Sequence, residues 1–510
     1  MLKEALSMHR KITSTAGLVD RLIDTFNREE IVYCHWKSNI DLAKAVAGQT
    51  DLDLLVDRKS LQQALNALSN LGFKAAEPRW GTNPPGIGHY YGLDSFTEQL
   101  IHVHLFSRVL TGESYVKSHL LPFETMLLEN VYYFDRIRVT SKPAELVLFT
   151  LRMFIKYGSL FDLVSLRGKS DKIKSEVLWL QGNGDLSEAL SLLKQHCPVM
   201  EEKLFIKCVE VLNGDGPLFR KMILALRVRH RLKVYAKYSF FKRLIAYIQV
   251  LWAEVLRRLG TKQKNKVLQA GGTVIAFTGA DATGKSTAVG ETGRWLGNIF
   301  TVKIIHAGKP PSSWFTAPVN ISLRLARRII SSRSIRRIKN QTSPGDSNLS
   351  RHEFKGLSSL LYALRAITLA WDRRSVILKD RRLAAKGEII VCDRYPSRTI
   401  GVMDSPRLEE EFIKKSLVVT IYNHLARFEK QIYRQIPPPD LVLKLNVSLE
   451  TAKRRNQGRN ERDGDAYLEA RHRQYRKWFM PETKHVYDID TEQTLGETLC
   501  DVKKAIWESL

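Results

Sequence analysis

The chain has 510 residues, of which 44% are hydrophobic and 26% charged, a globular composition that excludes fibrous, collagen-like and wholly disordered proteins. At roughly 150 residues per domain, this length predicts about three domains. The 80 Lys and Arg residues outnumber the 53 Asp and Glu residues, so the formal net charge is +27. Such an excess favours an anionic partner, which could be nucleotide phosphate, nucleic acid or an acidic membrane surface.

Cysteine and targeting signals favour the cytoplasm. The five cysteines form no C-x-x-C pair, so we expect neither a disulfide framework nor a cysteine-based zinc site. The N-terminal stretch lacks the apolar core of a secretory signal. The most membrane-like run, residues 244–253, has ten uncharged residues, whereas about 20 are needed to cross a bilayer. We therefore expect a cytoplasmic protein, with peripheral attachment to the inner face of the membrane as an open alternative.

The first predicted domain covers residues 1–145. Its apolar runs DLDLLV (51–56) and LIHVHLF (100–106) are predicted strands, and the Gly- and Pro-rich residues 81–92 a loop. Asp51 and Asp53 stand at i and i+2 of a strand, so both carboxylates face one side and could share Mg²⁺. With HWKSN (35–39) before them, they resemble the nucleotidyltransferases. The resemblance implies an α+β nucleotidyltransferase-like domain.

Two departures from that family leave the activity of this domain open. Lys37 stands where the family has a glycine, and the strand expected to bring a third carboxylate offers His102 and His104 instead. A mixed Asp/His site is poorer for a transfer that needs two Mg²⁺ ions. The alternative is a nucleotide-sensing or scaffolding domain without catalysis.

Residues 146–268 are predicted to form a helical, basic connector. Within it, residues 220–266 contain 14 Lys and Arg but only one acidic residue, with aromatic residues interspersed. A second basic segment, residues 320–340 in the last predicted domain, contains seven Lys and Arg and no acidic residue. Basic amphipathic helices can lie on acidic membranes. The alternative is that the apolar faces pack on the protein and the charges stay solvated. The second segment could also face substrate.

Residues 269–510 alternate apolar runs with long helical patterns. The predicted strands are residues 273–279, 302–308, 388–394 and 441–447. This alternation predicts an α/β domain with a parallel sheet and flanking helices.

The sharpest signal is GADATGKS (279–286), which matches the phosphate-loop pattern G-x-x-x-x-G-K-[ST] between a strand and a helix. Its glycines let backbone N–H groups surround a phosphate, Lys285 reaches the β- and γ-phosphates, and Ser286 can bind Mg²⁺. The predicted ATP-binding residues are Gly279, Asp281, Ala282, Thr283, Gly284, Lys285, Ser286 and Thr287.

Further charged residues favour phosphoryl transfer. Asp393 ends a buried strand, where a carboxylate can hold Mg²⁺ or its waters, and Arg394 follows it. Downstream, Arg454, Arg455, Arg459 and Arg462 suit a lid that closes over the phosphates. The predicted catalytic residues are Lys285, Asp393, Arg394, Arg455 and Arg459.

Residues 272–510 resemble the thymidylate kinases, which are P-loop nucleoside monophosphate kinases. The resemblance rests on GADATGKST (279–287), Asp372-Arg373, DRYPS (393–397), PPDLVLKLNV (438–447) and the arginine-rich segment. It implies Mg-ATP as donor, a nucleoside monophosphate such as dTMP as acceptor, and a homodimer. The acceptor-binding residues it implies are Asp281, Lys309, Arg373, Arg394 and Tyr395.

The acceptor side departs from this family. HAGKPPSSW (306–314) replaces its Arg-Glu-Pro-Gly motif, and lysine is a point charge where arginine is a bidentate fork. Two alternatives therefore stay open: a kinase for a sugar-, glycan- or lipid-linked phosphate at the membrane, and an ATP-switched nucleic-acid-binding regulator. No helix-turn-helix, RRM-like or zinc-finger pattern is present in the sequence, so nucleic acid is the less expected partner.

Overall fold

The chain divides into two compact units, Met1–Lys264 and Asn265–Leu510. The computed structural model describes residues 17–79, 83–112, 117–158, 168–182, 186–214, 217–238, 245–246, 248–249, 252, 255, 265–308, 310–311, 316–318, 357–400, 404–412, 416–458, 464–478, 480 and 482–510. Three predicted site residues, Lys309, Arg459 and Arg462, lie outside the described residues, as does the basic segment 320–340.

The first unit is α+β. Its strands are β1 (Tyr33–His35), β2 (Leu52–Val56), β3 (Lys74–Pro78), β4 (Ile87–Leu93), β5 (Leu100–Phe106), β6 (Val109–Thr111), β7 (His119–Leu121), β8 (Val131–Phe134) and β9 (Ile137–Thr140). Within this unit the strands of the mixed sheet follow the order β3-β4-β5-β2-β1-β9-β8, and β6 pairs with β7. Strand β2 is antiparallel to β1 and parallel to β5, with Asp53 opposite His104.

Helices pack around this sheet. They are α1 (Leu18–Arg28), α2 (Leu42–Val46), α3 (Leu61–Asn70), α4 (Glu124–Glu129), α5 (Lys142–Tyr157), α6 (Ser170–Gln181), α7 (Ser187–His196), α8 (Glu202–Asn213) and α9 (Leu218–Arg231), with 3₁₀ turns at Asn39–Asp41 and Leu232–Tyr235. One apolar cluster joins α1 and α3 to the sheet, and a larger one is built around the almost wholly buried α5. Helix α5 begins where Ser141 accepts a hydrogen bond from the Ala144 N–H and Pro143 occupies the first turn. The helices of the predicted connector therefore belong to the first compact unit.

The second unit is α/β. Its strands are β10 (Lys266–Leu268), β11 (Thr273–Gly279), β12 (Val302–His306), β13 (Ile389–Asp393), β14 (Leu441–Asn446) and β15 (His485–Asp490). Its helices are α10 (Lys285–Gly297), α11 (Leu357–Ala384), α12 (Leu417–Arg434), α13 (Leu449–Gln457), α14 (Asp465–Tyr475) and α15 (Leu495–Ser509).

Five strands form a wholly parallel sheet in the order β12-β13-β11-β14-β15. Every residue of the central strand β11 is buried, as expected for a parallel strand covered on both faces. The predicted parallel sheet is confirmed. Because all five strands run the same way, their carboxyl ends meet at one edge, and loops from β11, β12 and β13 converge there.

No helix among the described residues is long and apolar enough to span a membrane.

Candidate active site

The loop between β11 and α10 has the backbone of a phosphate cradle. Gly284 precedes α10 with φ +87°, in the left-handed region that favours glycine. A Cβ on Gly279 would lie 2.6 Å from the Thr283 hydroxyl oxygen and 2.8 Å from the Leu445 carbonyl oxygen. The first glycine is therefore required by close approach and the second by backbone conformation.

Lys285 places a buried positive charge inside this loop. The residue is 6% exposed, and its ammonium donates to the Ala280 carbonyl and lies 3.4 Å from the Thr283 hydroxyl. Thr283 itself donates to the same carbonyl at 3.0 Å. A cation fixed at the start of a helix favours an anion at the same place, so the loop suits a phosphate group.

The first turn of α10 adds further donors to this position. Ser286 and Thr287 are exposed at the helix start, where backbone N–H groups lack intrahelical partners and the helix dipole is positive. Both features favour an anion at this end of the helix.

Asp393 lies beside the loop, at the end of β13. In the parallel pairing it stands opposite Phe277, two residues before Gly279. Its Oδ1 atom is buried without a hydrogen-bond partner in the described structure. An unpaired buried carboxylate oxygen at the end of the strand beside the loop fits Mg²⁺, which takes oxygen ligands and keeps several from water and phosphate.

No group of three or more His, Cys, Asp or Glu in the described parts of either unit is arranged to hold a metal by itself. A magnesium ion here would therefore need oxygens from a phosphate and from water as well as from Ser286 and Asp393.

Alternating arginines and aspartates continue outward from the loop, and we call them the arginine–aspartate chain. Buried Arg373 contacts Asp404 at 2.7 Å, and Asp404 lies 3.6 Å from Arg394. Arg394 contacts Asp281 of the phosphate loop at 3.1 Å, and Arg471 on α14 lies 3.3 Å from the other oxygen of Asp281. The chain thus joins the phosphate loop to α11 on one side and to α14 on the other.

Arg373 uses all of its hydrogen-bond donors within the protein. It is 0% exposed, and its five N–H donors reach the carbonyls of Ala307, Gly308 and Asp404, the Tyr433 hydroxyl and the Asp404 carboxylate, at 2.6–3.1 Å. A guanidinium has five donors. Arg373 therefore fixes the loop after β12 to the loop that contains Asp404.

Arg394 has a backbone conformation that is rare outside glycine. Its φ is +71°, and such left-handed residues are concentrated at functional sites. This conformation follows directly on Asp393 and turns the chain so that the side chain of Arg394 reaches Asp281 and Asp404.

Helix α14 brings His472 to the same loop. Its Nε2 atom lies 3.2 Å from the Asp281 carbonyl. Burial lowers the pKa of His472 and the nearby Lys285 charge adds to this, although the contacts with Asp281 act in the opposite direction. A neutral ring beside the phosphate loop can exchange a hydrogen bond without adding charge.

Two predicted residues make other contacts. Tyr395 is 2% exposed and donates to the Pro437 carbonyl at 2.8 Å, and burial raises its pKa well above the usual value. Arg455 on α13 donates to the carbonyl of Thr491 at 2.6 Å. Their roles in acceptor binding and catalysis stay predictions.

Asp404, Arg471 and His472 were not predicted. Asp404 follows the DRYPS motif (393–397) by only seven residues but is not part of it, and the structure places it against Arg373 and Arg394. Arg471 and His472 follow the arginine-rich segment by one helix, in LEARHRQY (468–475). This second cluster of basic residues, on the helix that follows the predicted lid, is the sequence feature that could have identified them.

The first unit has a separate cluster of charged and imidazole side chains. Lys37 contacts Asp53 at 2.9 Å, His104 Nδ1 lies 3.1 Å from the same Asp53 oxygen, and His102 Nδ1 lies 2.7 Å from Asp51. The two carboxylates predicted to share Mg²⁺ therefore contact a lysine and two histidines, and that metal site stays a prediction.

Charge state in this cluster follows from burial. Burial would raise the pKa of Asp53, but Lys37 and His104 outweigh it and hold that pKa below its usual range. Burial lowers the pKa of His104 to about 4, so its ring is neutral at pH 7. The cluster is thus a salt bridge between Lys37 and Asp53, flanked by the neutral imidazole of His104.

Comparison with known proteins found no matching family model and no matching curated protein. Among solved structures, a deoxyadenosine kinase from M. mycoides with bound dATP matches with 18% identity and a TM-score of 0.27, over 45% of this chain and 97% of that chain. A TM-score this low establishes neither a shared fold nor a shared activity.

Proposed function

We propose that the second unit is a kinase that transfers the γ-phosphoryl group of Mg-ATP to a nucleoside monophosphate such as dTMP. One observation carries the proposal: buried Lys285 holds its ammonium inside a glycine-bounded loop at the start of a helix. The unpaired Asp393 oxygen beside the loop supports it, as does the resemblance of residues 272–510 to thymidylate kinases.

Phosphoryl transfer needs positioning and charge neutralisation more than covalent chemistry. Lys285 and the N–H groups at the start of α10 would hold the β- and γ-phosphates. Ser286 and Asp393 would hold Mg²⁺, which when bound would neutralise phosphate charge.

Arg394 and Arg471 would contribute further positive charge. Each contacts a different oxygen of the Asp281 carboxylate, and both contacts are only partly buried. Each arginine can therefore exchange a carboxylate for a phosphate at a modest free-energy cost. An arginine that contacts phosphate only during transfer raises the rate more than it raises affinity.

A second candidate acceptor is a sugar-, glycan- or lipid-linked phosphate. The resemblance assigns Arg373 to the acceptor nucleotide, but all five of its donors already bind protein oxygens. A nucleotide could recruit Arg373 only by displacing one of these buried contacts, which favours an acceptor recognised by other groups.

Acceptor-dependent ATP consumption tests the proposal. Purified protein would be incubated with Mg-ATP and, in parallel, with dTMP, other nucleoside monophosphates and phosphorylated sugars, and ADP would be measured. Turnover with a nucleoside monophosphate that is absent in Lys285→Ala supports the main proposal, and turnover only with a phosphorylated sugar supports the second candidate. Nucleic-acid binding without any acceptor-dependent turnover would contradict both.

A further inference from the structure

Helix α9 presents apolar side chains on the face opposite to the one it buries. Its buried residues are Lys221, Leu224, Ala225 and Val228. Phe219 and Leu226 are 65% and 63% exposed, and Ile223 is also exposed. At 100° per residue, these three positions share one face, turned about 180° from the buried residues.

A second apolar stripe follows in the sequence. Residues 245, 248, 252 and 255 are all helical, and Ile245, Ile248, Trp252 and Val255 are all exposed, Trp252 by 63%. Their spacing of three, four and three residues is the one that brings side chains to the same face of a helix. Both stripes lie in the first unit.

Positively charged residues flank both stripes in the sequence. Residues 220–266 carry 14 Lys and Arg and one Glu, a net charge of +13. Arg220 and Arg227 are exposed on α9 beside its outward apolar face, while Arg231 is paired with Glu201. Lys242 and Arg243 precede the second stripe, and Arg257 and Arg258 follow it.

We propose that the outward face of α9 and the exposed side chains of Ile245, Ile248, Trp252 and Val255 bind an anionic lipid bilayer. We call them together the basic apolar surface. Exposed Phe and Trp between Lys and Arg residues suit the boundary between lipid headgroups and acyl chains, where the rings enter the apolar layer and the cations contact acidic headgroups. The helices would lie on the bilayer and not cross it.

The charge and the apolar exposure together favour lipid over other partners. Nucleic acid would use the positive charge, but it would leave Ile223, Leu226 and Ile248 in water. A second copy of this chain would bring two strongly positive surfaces together. An acidic bilayer satisfies both the charge and the apolar side chains.

Vesicle co-sedimentation of the full chain tests the proposal. The lipids would be phosphatidylcholine alone, or phosphatidylcholine with phosphatidylglycerol. We expect binding only to the vesicles with phosphatidylglycerol, weakened by salt. Reversing two charges, Arg220→Glu with Arg227→Glu, should weaken it at least ~tenfold, and Phe219→Ser with Leu226→Ser should weaken it even at low salt.

Matched variants separate this surface from general charge and folding effects. Lys203→Glu with Lys207→Glu reverses two exposed charges on α8, whose apolar residues are buried or half-buried, and Phe96→Ser removes another exposed ring. Both should bind as the wild type does, with circular dichroism confirming that every variant is folded.

Three outcomes would overturn the proposal. The first is a folded wild type that binds no phosphatidylglycerol vesicles, and the second is equal loss of binding in the test and control variants. The third is that these residues are needed for binding DNA or RNA, or for self-association, but not for binding vesicles.

Discussion

Lys285 is the residue on which the proposed chemistry of the second unit depends. Its ammonium is buried in the phosphate loop, where it donates to the Ala280 carbonyl and lies 3.4 Å from the Thr283 hydroxyl. A cation held in this position would give an anion that enters the loop a strong, pre-positioned contact. This is the electrostatic pre-organisation from which most rate enhancement in phosphoryl transfer derives.

Lys285→Ala removes this charge. We expect acceptor-dependent ADP formation to fall at least ~100-fold, because β- and γ-phosphate charge loses its main protein partner. The matched control is Lys430→Ala, which removes an exposed lysine from α12. Near-normal turnover in folded Lys285→Ala would contradict the role given to this residue.

Asp393→Asn tests the magnesium ligand. The substitution keeps the size of the side chain but replaces an anionic oxygen ligand with a neutral amide, which binds Mg²⁺ more weakly. We expect turnover to fall and the Mg²⁺ concentration for half-maximal turnover to rise. A lower rate with unchanged Mg²⁺ dependence would show that Asp393 does not bind the metal.

Arg471→Ala separates a transfer role from a structural one. The Arg471–Asp281 contact is partly exposed, so its loss should lower the free energy of unfolding by about 1 kcal/mol or less. Turnover should fall by ~10- to 100-fold if Arg471 contacts the transferred group. Exposed Arg473 on the same helix is the control. Equal rates in both variants would exclude Arg471 from the reaction.

Among the structural elements, the turn after β1 depends on a buried carboxyl group. Asn39 donates to Glu145 of α5 from its side chain at 2.7 Å and from its backbone at 3.2 Å, and His35 Nδ1 contacts the Asn39 side chain. Burial raises the pKa of Glu145 from 4.5 to about 7 despite these bonds. The connection between the strand and α5 is therefore pH-dependent.

The sign of that dependence follows from proton binding. Between about pH 4.5 and pH 7 the folded protein keeps a proton on Glu145 that the unfolded chain releases, so stability falls as the pH rises through this range, by up to ~3 kcal/mol. In Glu145→Gln this part of the pH dependence should vanish. Urea unfolding from pH 5 to pH 8 measures it, with exposed Glu188→Gln as control. A decline that persists unchanged in Glu145→Gln would contradict the assignment.

The strands of the second unit were predictable because buried parallel strands read as continuous apolar runs. Strands β11, β13 and β14 are buried strands of this kind. The edge strand β12 has only Ile305 buried, but its sequence is still an apolar run, so it was predicted as well. The other edge strand, β15, was missed because two aspartates interrupt its apolar residues.

Strand β4 shows how tertiary contacts override local signals. It occupies Ile87–Leu93, within a Gly- and Pro-rich stretch predicted to be a loop, so that prediction was wrong from residue 87 onward. It pairs with β5 along its whole length. At Gly92 a Cβ would lie 2.6 Å from Leu18 of α1, so the glycine reflects helix packing and not a turn.

The candidate site was predictable only where residues are close in sequence. The phosphate loop needs a fixed local spacing, so Gly279, Gly284 and Lys285 could be identified directly. Asp404 and Arg471 join the site through the fold, and no spacing rule connects either of them to Asp281.

The two compact units of the whole molecule have separate cores. The sheet of residues 273–490 is covered by helices of the second unit, and its apolar cluster is drawn from that unit. The first unit has two apolar clusters of its own. The basic apolar surface belongs to the first unit, while the proposed chemistry belongs to the second.

Residues 265–510 should therefore fold when expressed alone. We expect a cooperative thermal transition and an affinity for Mg-ATP within about threefold of that of the full chain, because the phosphate loop and Asp393 have their packing partners inside this unit. Circular dichroism and calorimetry measure both quantities. An aggregated or unfolded fragment would show that the second unit needs the first for stability. The predicted homodimer can be tested on the same samples by sedimentation.

Equilibrium binding of ATP to the full chain, measured by titration calorimetry with Mg²⁺ and again with EDTA, shows whether the loop around Lys285 binds a nucleoside triphosphate. We expect one magnesium-supported site per chain that Lys285→Ala abolishes and Lys430→Ala retains. Folded wild-type protein that shows no magnesium-supported binding of ATP, or binding that Lys285→Ala leaves unchanged, would contradict this expectation.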